Sequence, residues 1–195
     1  MKKFELTSEF ITNIFGTKLF RIKALIEFGN VKAGELGGFV EKEENLNHEG
    51  NAWVYGNAEV YGNARVYGNA SVYGDARVCG DAWVYGNAEV YGNARVCDDA
   101  RVYGNAWVCG DARVCGDARV YGNADYATVH GFGSEYRTTT FFKTKAGEIG
   151  VRCGCFYGNL SEFRKKVVET HGETKKAKEY LMLADLMEFR FSDNS

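Results

Sequence analysis

The stretch Gly50-Asn51-Ala52-Trp53-Val54-Tyr55 opens a run of twelve consecutive hexapeptides that ends at Gly116-Asp117-Ala118-Arg119-Val120-Tyr121. Each copy has the form Gly-Asn/Asp-Ala-x-Val-Tyr/Cys, and a single copy lacks its glycine, at Asp98. A short, strictly kept period is typical of a solenoid, in which each repeat buries its apolar face only by stacking on its neighbours. The run therefore predicts the architecture but no activity, since unrelated sites are built on such scaffolds.

Within one hexapeptide the side chains alternate between two faces. Ala and Val fall on the buried face, while the variable residue and Tyr or Cys fall on the outer face, which is the period of a β-strand. Gly followed by Asn or Asp supplies the corner between strands, because these residues accept turn conformations at low cost. Apolar residues at i, i+2, i+6 and i+8 do not form one face of an α-helix, so the sequence favours short stacked strands.

Gly-Asn-Ala-x-Val-Tyr resembles the hexapeptide repeat of left-handed β-helix proteins. The resemblance implies three hexapeptides per triangular coil and a left-handed winding. Twelve copies then predict a mainly β fold, a left-handed parallel β-helix of about four coils and roughly 20 Å in height at the usual strand spacing.

The flanking segments resemble those of hexapeptide-repeat proteins found in bacteriophages and prophages. The resemblance rests on Phe-Arg-Ile-Lys-Ala-Leu at 20–25, Phe-Gly-Asn-Val-Lys-Ala-Gly-Glu-Leu-Gly-Gly-Phe-Val-Glu at 28–41, Glu-Glu-Asn-Leu at 43–46 and Gly-Cys-Phe-Tyr-Gly at 154–158. It implies a phage or prophage origin. It supplies no reaction, because that group has no single activity.

The sequence divides into three parts: an N-terminal cap over 1–46, the repeat solenoid over 47–127 and a C-terminal α+β domain over 128–195. Caps are expected because a bare terminal coil would expose unpaired strand edges. For the N-terminal cap we predict strands near 4–7 and 19–28, a Gly37-Gly38 turn, and the start of the first coil at Phe39-Val40.

For the C-terminal domain we predict strands near 126–132, 137–144 and 148–156, followed by two helices. Asn159 with Glu162 predicts a capping box at the start of the first helix, and Gly172 predicts its end. The second helix is predicted over about 174–189, with a broad apolar stripe. Two interpretations stay open: a cap packed on the last coil, or a recognition domain carried by the solenoid.

With three hexapeptides per coil, every third copy lies on the same face. The face that begins at Gly50 then displays Trp53, Ser71, Glu89 and Trp107. The face that begins at Gly56 carries Arg77, Arg95 and Arg113 beside Cys79, Cys97 and Cys115. The face that begins at Gly62 combines arginine with aromatic residues, and on it we place the candidate partner-binding residues Arg65, Trp83, Tyr85, Arg101, Tyr103, Arg119 and Tyr121.

Arginine, tryptophan and tyrosine together are the mixture that anchors protein partners, and also the mixture that stacks bases and pairs phosphates. The simplest alternative is a structural tyrosine ladder with arginines that only face solvent. A host protein is the expected partner, and nucleic acid or a nucleotide on the same face is the alternative. Homo-oligomerisation stays open.

The sequence does not favour an enzyme. Many left-handed β-helix proteins are acyltransferases or zinc enzymes that place histidines on the coils, yet the run from Gly50 to Tyr121 contains no histidine and no inserted loop. His48, His130 and His171 lie in separate segments. We predict no catalytic residues, no cofactor and no metal, and we interpret the cysteine column as free structural thiols. Hexapeptide-type acyl transfer is the remaining alternative.

The net charge of −2 excludes the strongly basic balance of a general nucleic-acid binder. We find no secretory signal and no apolar stretch of transmembrane length. Six cysteines without such a signal predict a reducing, cytoplasmic location. The resemblance to phage and prophage proteins implies that this is the cytoplasm of a bacterial host. We therefore expect a non-catalytic binding protein of phage or prophage origin that blocks or redirects a host protein, as an anti-defence inhibitor would.

Overall fold

A computed structural model of the protein describes residues 1–133 and 135–192. Each hexapeptide forms one short strand, and strands three copies apart pair in parallel, so that Val54 lies opposite Val72 and Val72 opposite Val90. Three hexapeptides therefore make one coil of a parallel β-solenoid, as predicted. The left-handed winding stays a prediction, since strand register is independent of it.

Twelve repeat strands form the three walls of the solenoid. They are β4 to β15: Trp53–Val54, Glu59–Val60, Arg65–Val66, Ser71–Val72, Arg77–Val78, Trp83–Val84, Glu89–Val90, Arg95–Val96, Arg101–Val102, Trp107–Val108, Arg113–Val114 and Arg119–Val120.

The interior of the solenoid is a column of alanine and valine. Every repeat Ala and Val from Ala52 to Val120 is fully buried, because a small and a β-branched residue together fill a narrow coil. At the corners, asparagine amides bond to the residue one coil above, as in Asn69 to Asn87 at 3.1 Å. These ladders hold successive coils in register.

The N-terminal segment extends one wall of the solenoid. Its strands β1 (Phe4–Thr12), β2 (Lys18–Ala24) and β3 (Leu36–Val40) join β5, β8, β11 and β14 in a seven-stranded sheet. Phe39 pairs with Glu59, and Leu46 bridges to Val66. These residues add an incomplete coil below the first, so the solenoid has about five turns where four were predicted.

Two predictions for the N-terminal end of the solenoid are wrong. Gly37 and Gly38 form no turn but lie inside β3, where a Cβ at Gly37 would come within 2.6 Å of the Val54 carbonyl oxygen. They are needed for close approach of the backbone. Trp53 does not face solvent: it is fully buried beneath Phe4 and Phe28, whose rings meet it edge-on.

The N-terminal end of the solenoid leaves backbone groups of the first coil without a coil beneath them, whereas successive coils bond to each other, as in Trp53 N to Ala70 O at 3.0 Å. Side-chain donors satisfy the free carbonyls of the first coil. The Lys3 ammonium donates to Gly50 O (3.3 Å) and Ala52 O (2.9 Å). The Asn45 amide donates to Gly62 O (3.1 Å) and Ala64 O (2.8 Å).

The C-terminal end leaves backbone groups of the last coil without a coil above them, and acceptor side chains cover N–H groups there. The Trp107 N–H donates to Asn123 Oδ1 at 2.7 Å, and the Arg113 N–H to Thr140 Oγ1 at 2.9 Å. Carbonyls at this end are covered as well, since the Tyr126 hydroxyl donates to Trp107 O at 2.6 Å. Side chains from outside the coils therefore pair exposed backbone groups at both ends of the solenoid.

The C-terminal domain is a four-stranded antiparallel sheet followed by two helices. Its elements are β16 (Tyr126–Phe132), β17 (Arg137–Lys143), β18 (Ile149–Cys153), β19 (Phe156–Asn159), α1 (Leu160–His171) and α2 (Lys175–Phe191). The strand predicted near 148–156 is in fact a hairpin that turns at Gly154, whose φ is +57°. The Asn159–Glu162 capping box and the Gly172 helix end are confirmed.

The two faces of β17 hold the C-terminal domain against the last coil. Phe142 packs into the core of the solenoid, while the adjacent Phe141 packs under α1 and α2. The Ala118–Thr144 bridge joins the two parts through backbone. The domain thus closes the solenoid, as the cap interpretation expects. Across residues 1–133 and 135–192, neither helix has the length and apolar character needed to cross a membrane.

Candidate functional site

The structure gathers all seven predicted partner-binding residues on one wall of the solenoid, formed by β6, β9, β12 and β15. Arg65 pairs with Trp83, Trp83 with Arg101, and Arg101 with Arg119. We call this wall the Trp83 face. It comprises that column, the tyrosine column beside it and the aspartates of the adjoining corner: Arg65, Trp83, Arg101, Arg119, Tyr67, Tyr85, Tyr103, Tyr121, Asp81, Asp99 and Asp117.

The tyrosines of the Trp83 face form a stacked ladder. Tyr67 and Tyr85 are parallel with ring centroids 4.8 Å apart, and Tyr85 and Tyr103 are parallel at 5.0 Å. Tyr121 meets Tyr103 edge-on and is mostly exposed. Because coil spacing matches ring spacing, the rings are fixed before any partner arrives. The ladder is therefore structural and also available for contact.

Trp83 is held from above and below by arginines. The Arg101 guanidinium carbon lies 4.6 Å from the centroid of the Trp83 ring, and that of Arg65 lies 6.0 Å away. Such cation–π contacts each stabilise by about 0.5–1 kcal/mol at an exposed site. Arg119 differs from its neighbours: its Nη1 donates to the carbonyls of Asp99, Asp117 and Ala118. The Arg119 guanidinium therefore stabilises the corner and is less available to a partner than that of Arg101.

A column of carboxylates runs beside the arginines. Asp81, Asp99 and Asp117 occupy the same corner of successive coils, and together with Trp83, Arg101, Arg119 and Lys145 they line a groove of 520 Å³. Three carboxylates face three cations, so this groove has no net charge. Each of these aspartates is the second residue of its hexapeptide, a corner position outside the outward-facing positions on which the predicted site is based.

A second cavity, of 530 Å³, lies at the N-terminal end of the Trp83 face. Arg65, Tyr67 and Trp83 form one side of it, and Glu43, Glu44 and His48 from the lead-in form the other. The acidic and histidine residues of this pocket are absent from the sequence prediction. The lead-in is offset from the first coil by 20 residues, as Leu46 against Val66 shows, so the hexapeptide period does not place them.

The three histidines lie in three different settings. The Lys3 N–H donates to His48 Nδ1 (3.2 Å), and His48 Nε2 lies 3.5 Å from a Glu43 oxygen, with the ring stacked on Phe4. His130 contacts Thr138, and His171 stacks on Tyr180. His48 is the histidine that reaches the Trp83 face, and its position follows from packing of the cap.

A column of thiols occupies the neighbouring wall, which β5, β8, β11 and β14 form. A hydrogen bond from Cys97 lowers the pKa of the buried Cys115 thiol, and nearby Arg152 and Arg113 act in the same direction. The hydrogen bond to Cys115 raises the pKa of Cys97 to about 12. The hydrogen bond to Cys97, together with burial, raises that of Cys79. All six cysteines are free.

The repeat region is similar to a known repeat family. Residues 58–74, 70–86, 94–110 and 112–124 match the family model described as the YdcK Beta solenoid repeat. The matched residues all lie within the solenoid and cover less than half of the chain, so they support a repeat β-solenoid protein and no more. No curated protein matches the chain.

Proposed function

We propose that the protein is a non-catalytic binding protein that recognises a protein partner through the Trp83 face. The observation that carries the proposal is Trp83 itself, a partly exposed tryptophan clamped between Arg65 and Arg101 and flanked by two cavities. Tryptophan, tyrosine and arginine contribute most of the energy in protein interfaces. Side chains already fixed by stacking lose little entropy when a partner binds.

The charges beside Trp83 favour a protein over a nucleic acid. A polyanion would have to approach Asp81, Asp99 and Asp117 as closely as it approaches the arginines. A protein surface with interspersed charges of both signs can complement such a groove. Nucleic acid or nucleotide binding remains the alternative, and Arg101 with the tyrosine ladder is the observation in its favour.

A second surface supports protein binding. On α2, Met182, Leu186 and Phe189 are spaced along one side of the helix and are 69%, 53% and 70% exposed. Apolar side chains at i, i+4 and i+7 are the pattern by which helices dock on a partner. We include this α2 stripe in the proposed binding surface.

We further propose that the partner is a host protein and that binding inhibits or redirects it in the host cytoplasm. The support is the resemblance of residues 20–46 and 154–158 to hexapeptide-repeat proteins of phages and prophages. Acyl transfer is a weaker candidate, because His48 is the only histidine that reaches a cavity of the Trp83 face among the described residues.

Affinity capture from a bacterial lysate tests the proposal. The wild type should retain one dominant protein, and Trp83→Ala should weaken its binding by about 30-fold or more, the loss expected for an interface anchor. Trp107→Ala is the matched control, because Trp107 occupies the equivalent repeat position on another wall and is half exposed.

Three results would contradict the proposal: no specific protein on the wild type, equal loss with both variants, or capture of nucleic acid with an affinity that falls steeply with salt. The last would favour the alternative, since counterion release makes phosphate-backbone binding strongly salt-dependent.

A further inference from the structure

The single departure from the repeat lies beside the thiol column. Eleven of the twelve hexapeptides begin with glycine, and the exception is Asp98, directly after Cys97. Asp98 keeps the left-handed backbone of the glycines it replaces, with φ +59°, a conformation that side chains other than glycine rarely adopt. A substitution that strains the backbone at one copy of a strict repeat calls for a chemical reason.

The side chains around Asp98 are metal-ligand types. One carboxylate oxygen of Asp98 and the sulfur atoms of Cys97 and Cys115 all lie within 4.8 Å of one another. Zinc bonds of about 2.3 Å to sulfur and 2.0–2.2 Å to oxygen put tetrahedral ligands roughly 3.5–3.8 Å apart. Side-chain rotations that shift the ligand atoms by about 1 Å therefore bring all three within bonding distance of one metal ion, without movement of the coils.

The backbone already holds the three groups in place. Cys97 and Cys115 follow Val96 and Val114, which are paired across adjacent coils. The Gly116 N–H donates to Asp98 Oδ2 at 3.1 Å and turns the carboxylate toward the next coil. Cys115 is buried whereas Asp98 is exposed, so the cluster is rigid on one side and open to solvent on the other.

We propose that Cys97, Asp98 and Cys115 bind a thiophilic divalent cation of the zinc class between the third and fourth coils. Two sulfur ligands select such a metal over Mg²⁺ or Ca²⁺, and water completes the tetrahedron. Binding transfers the two thiol protons to solvent, so that two thiolates and one carboxylate surround the dication. This site lies on the wall of β11 and β14 and does not depend on the function proposed for the Trp83 face.

Cys79 provides a comparison within the same column. It lies one coil below Cys97 on the same wall, but the residue that follows it is Gly80 and not an acid. If the thiols alone bound the metal, the pairs Cys79–Cys97 and Cys97–Cys115 would bind it equally well. The proposal predicts that the metal binds at the pair Cys97–Cys115, where Asp98 supplies the third ligand.

Titration of the reduced, metal-free full chain with Co²⁺ tests the site, with Cd²⁺ as a second probe. We expect one equivalent of Co²⁺ to bind with the intense visible bands of a tetrahedral site and a thiolate-to-metal charge-transfer band, and Zn²⁺ to displace it. Cys97→Ser should abolish the charge-transfer band. Asp98→Gly should lower the Co²⁺ affinity at least about tenfold, and it restores the repeat, so this variant folds.

Two matched controls locate the binding. Cys79→Ser and Cys155→Ser should leave the Co²⁺ affinity within about twofold of the wild type, and circular dichroism checks that every variant is folded. The proposal is overturned if no charge-transfer band forms, if Asp98→Gly binds as tightly as the wild type, or if Cys155→Ser removes the band and so assigns it to Cys153 and Cys155.

Discussion

Replacing Lys3 by methionine should change how the stability of the protein depends on pH. Lys3 is only 1% exposed, and its ammonium lies against two carbonyls of the first coil and 4.7 Å from the Phe28 ring centroid. Burial lowers the pKa of Lys3 from 10.5 to about 8. The unfolded chain therefore holds this proton more tightly than the folded protein does.

The sign of the effect follows from proton linkage. Between pH 8 and pH 10.5 the unfolded state binds more protons at Lys3, so the contribution of Lys3 to the free energy of unfolding rises with pH. Below pH 8 the full cost of burying the charge is present, and above pH 10.5 it is gone. A shift from 10.5 to about 8 corresponds to roughly 3 kcal/mol in total, and most of it appears between pH 7 and pH 10.

Other groups titrate in the same range with the opposite sign. Burial raises the pKa of Tyr61 and of Tyr73, and hydrogen bonds among the thiols raise that of Cys97 to about 12. For these acids the folded state keeps the proton longer, so their contribution to stability falls above the pKa of the unfolded group. The wild-type curve alone therefore mixes the two effects, and subtracting the Lys3→Met curve isolates Lys3.

The assay is urea unfolding of wild type and Lys3→Met, in parallel at pH 7, 8, 9 and 10 under reducing conditions. The free energy of unfolding of the wild type minus that of the variant should increase by about 2–3 kcal/mol from pH 7 to pH 10. A difference that stays constant with pH would refute the reasoning, because it would mean that the two carbonyls and Phe28 offset the burial of the charge completely.

Two further predictions concern the corners and the helices. Gly74→Ala should destabilise the solenoid by about 1–3 kcal/mol more than Gly110→Ala. Both glycines have positive φ, but a Cβ at Gly74 would lie 3.0 Å from the Gly92 nitrogen, whereas a Cβ at Gly110 would have nothing within 4 Å. Equal losses of stability in urea unfolding would contradict this. Asn159→Ala should cost about 1 kcal/mol by removing the side-chain bond to Glu162 N (2.9 Å), and hydrogen exchange should show the loss in α1, with amides of the middle coils unchanged.

The solenoid was predictable because its information is local and repeated. Period-two alternation within each copy predicts the strand, and division of the copies into threes places Arg65, Trp83, Arg101 and Arg119 on one wall. The same arithmetic places Cys115 one coil above Cys97. None of these results required knowledge of a distant contact.

What could not be predicted depends on segments outside the repeat. Trp53 carries the same sequence signal as Trp107, yet the cap buries the first and leaves the second half exposed. The pocket residues Glu43 and His48 approach the Trp83 face because the lead-in adds two residues to the coil period. The hydrogen-bond partners of side chains, such as the backbone carbonyls that accept from Arg119, depend on geometry that no residue pattern encodes.

The closure of both solenoid ends by side chains from outside the coils has a consequence for how such a protein can change in length. Side chains of the lead-in close one end and side chains that follow the last coil close the other, so neither cap takes part in the pairing between middle coils. Duplication of a whole coil would leave both caps intact and move the C-terminal domain outward by roughly 4.8 Å. Duplication of one hexapeptide would instead turn that domain to the next wall. Gene rearrangement in units of three hexapeptides can therefore change the distance between the N-terminal pocket and the α2 stripe in fixed steps, without any change in the residues of either one.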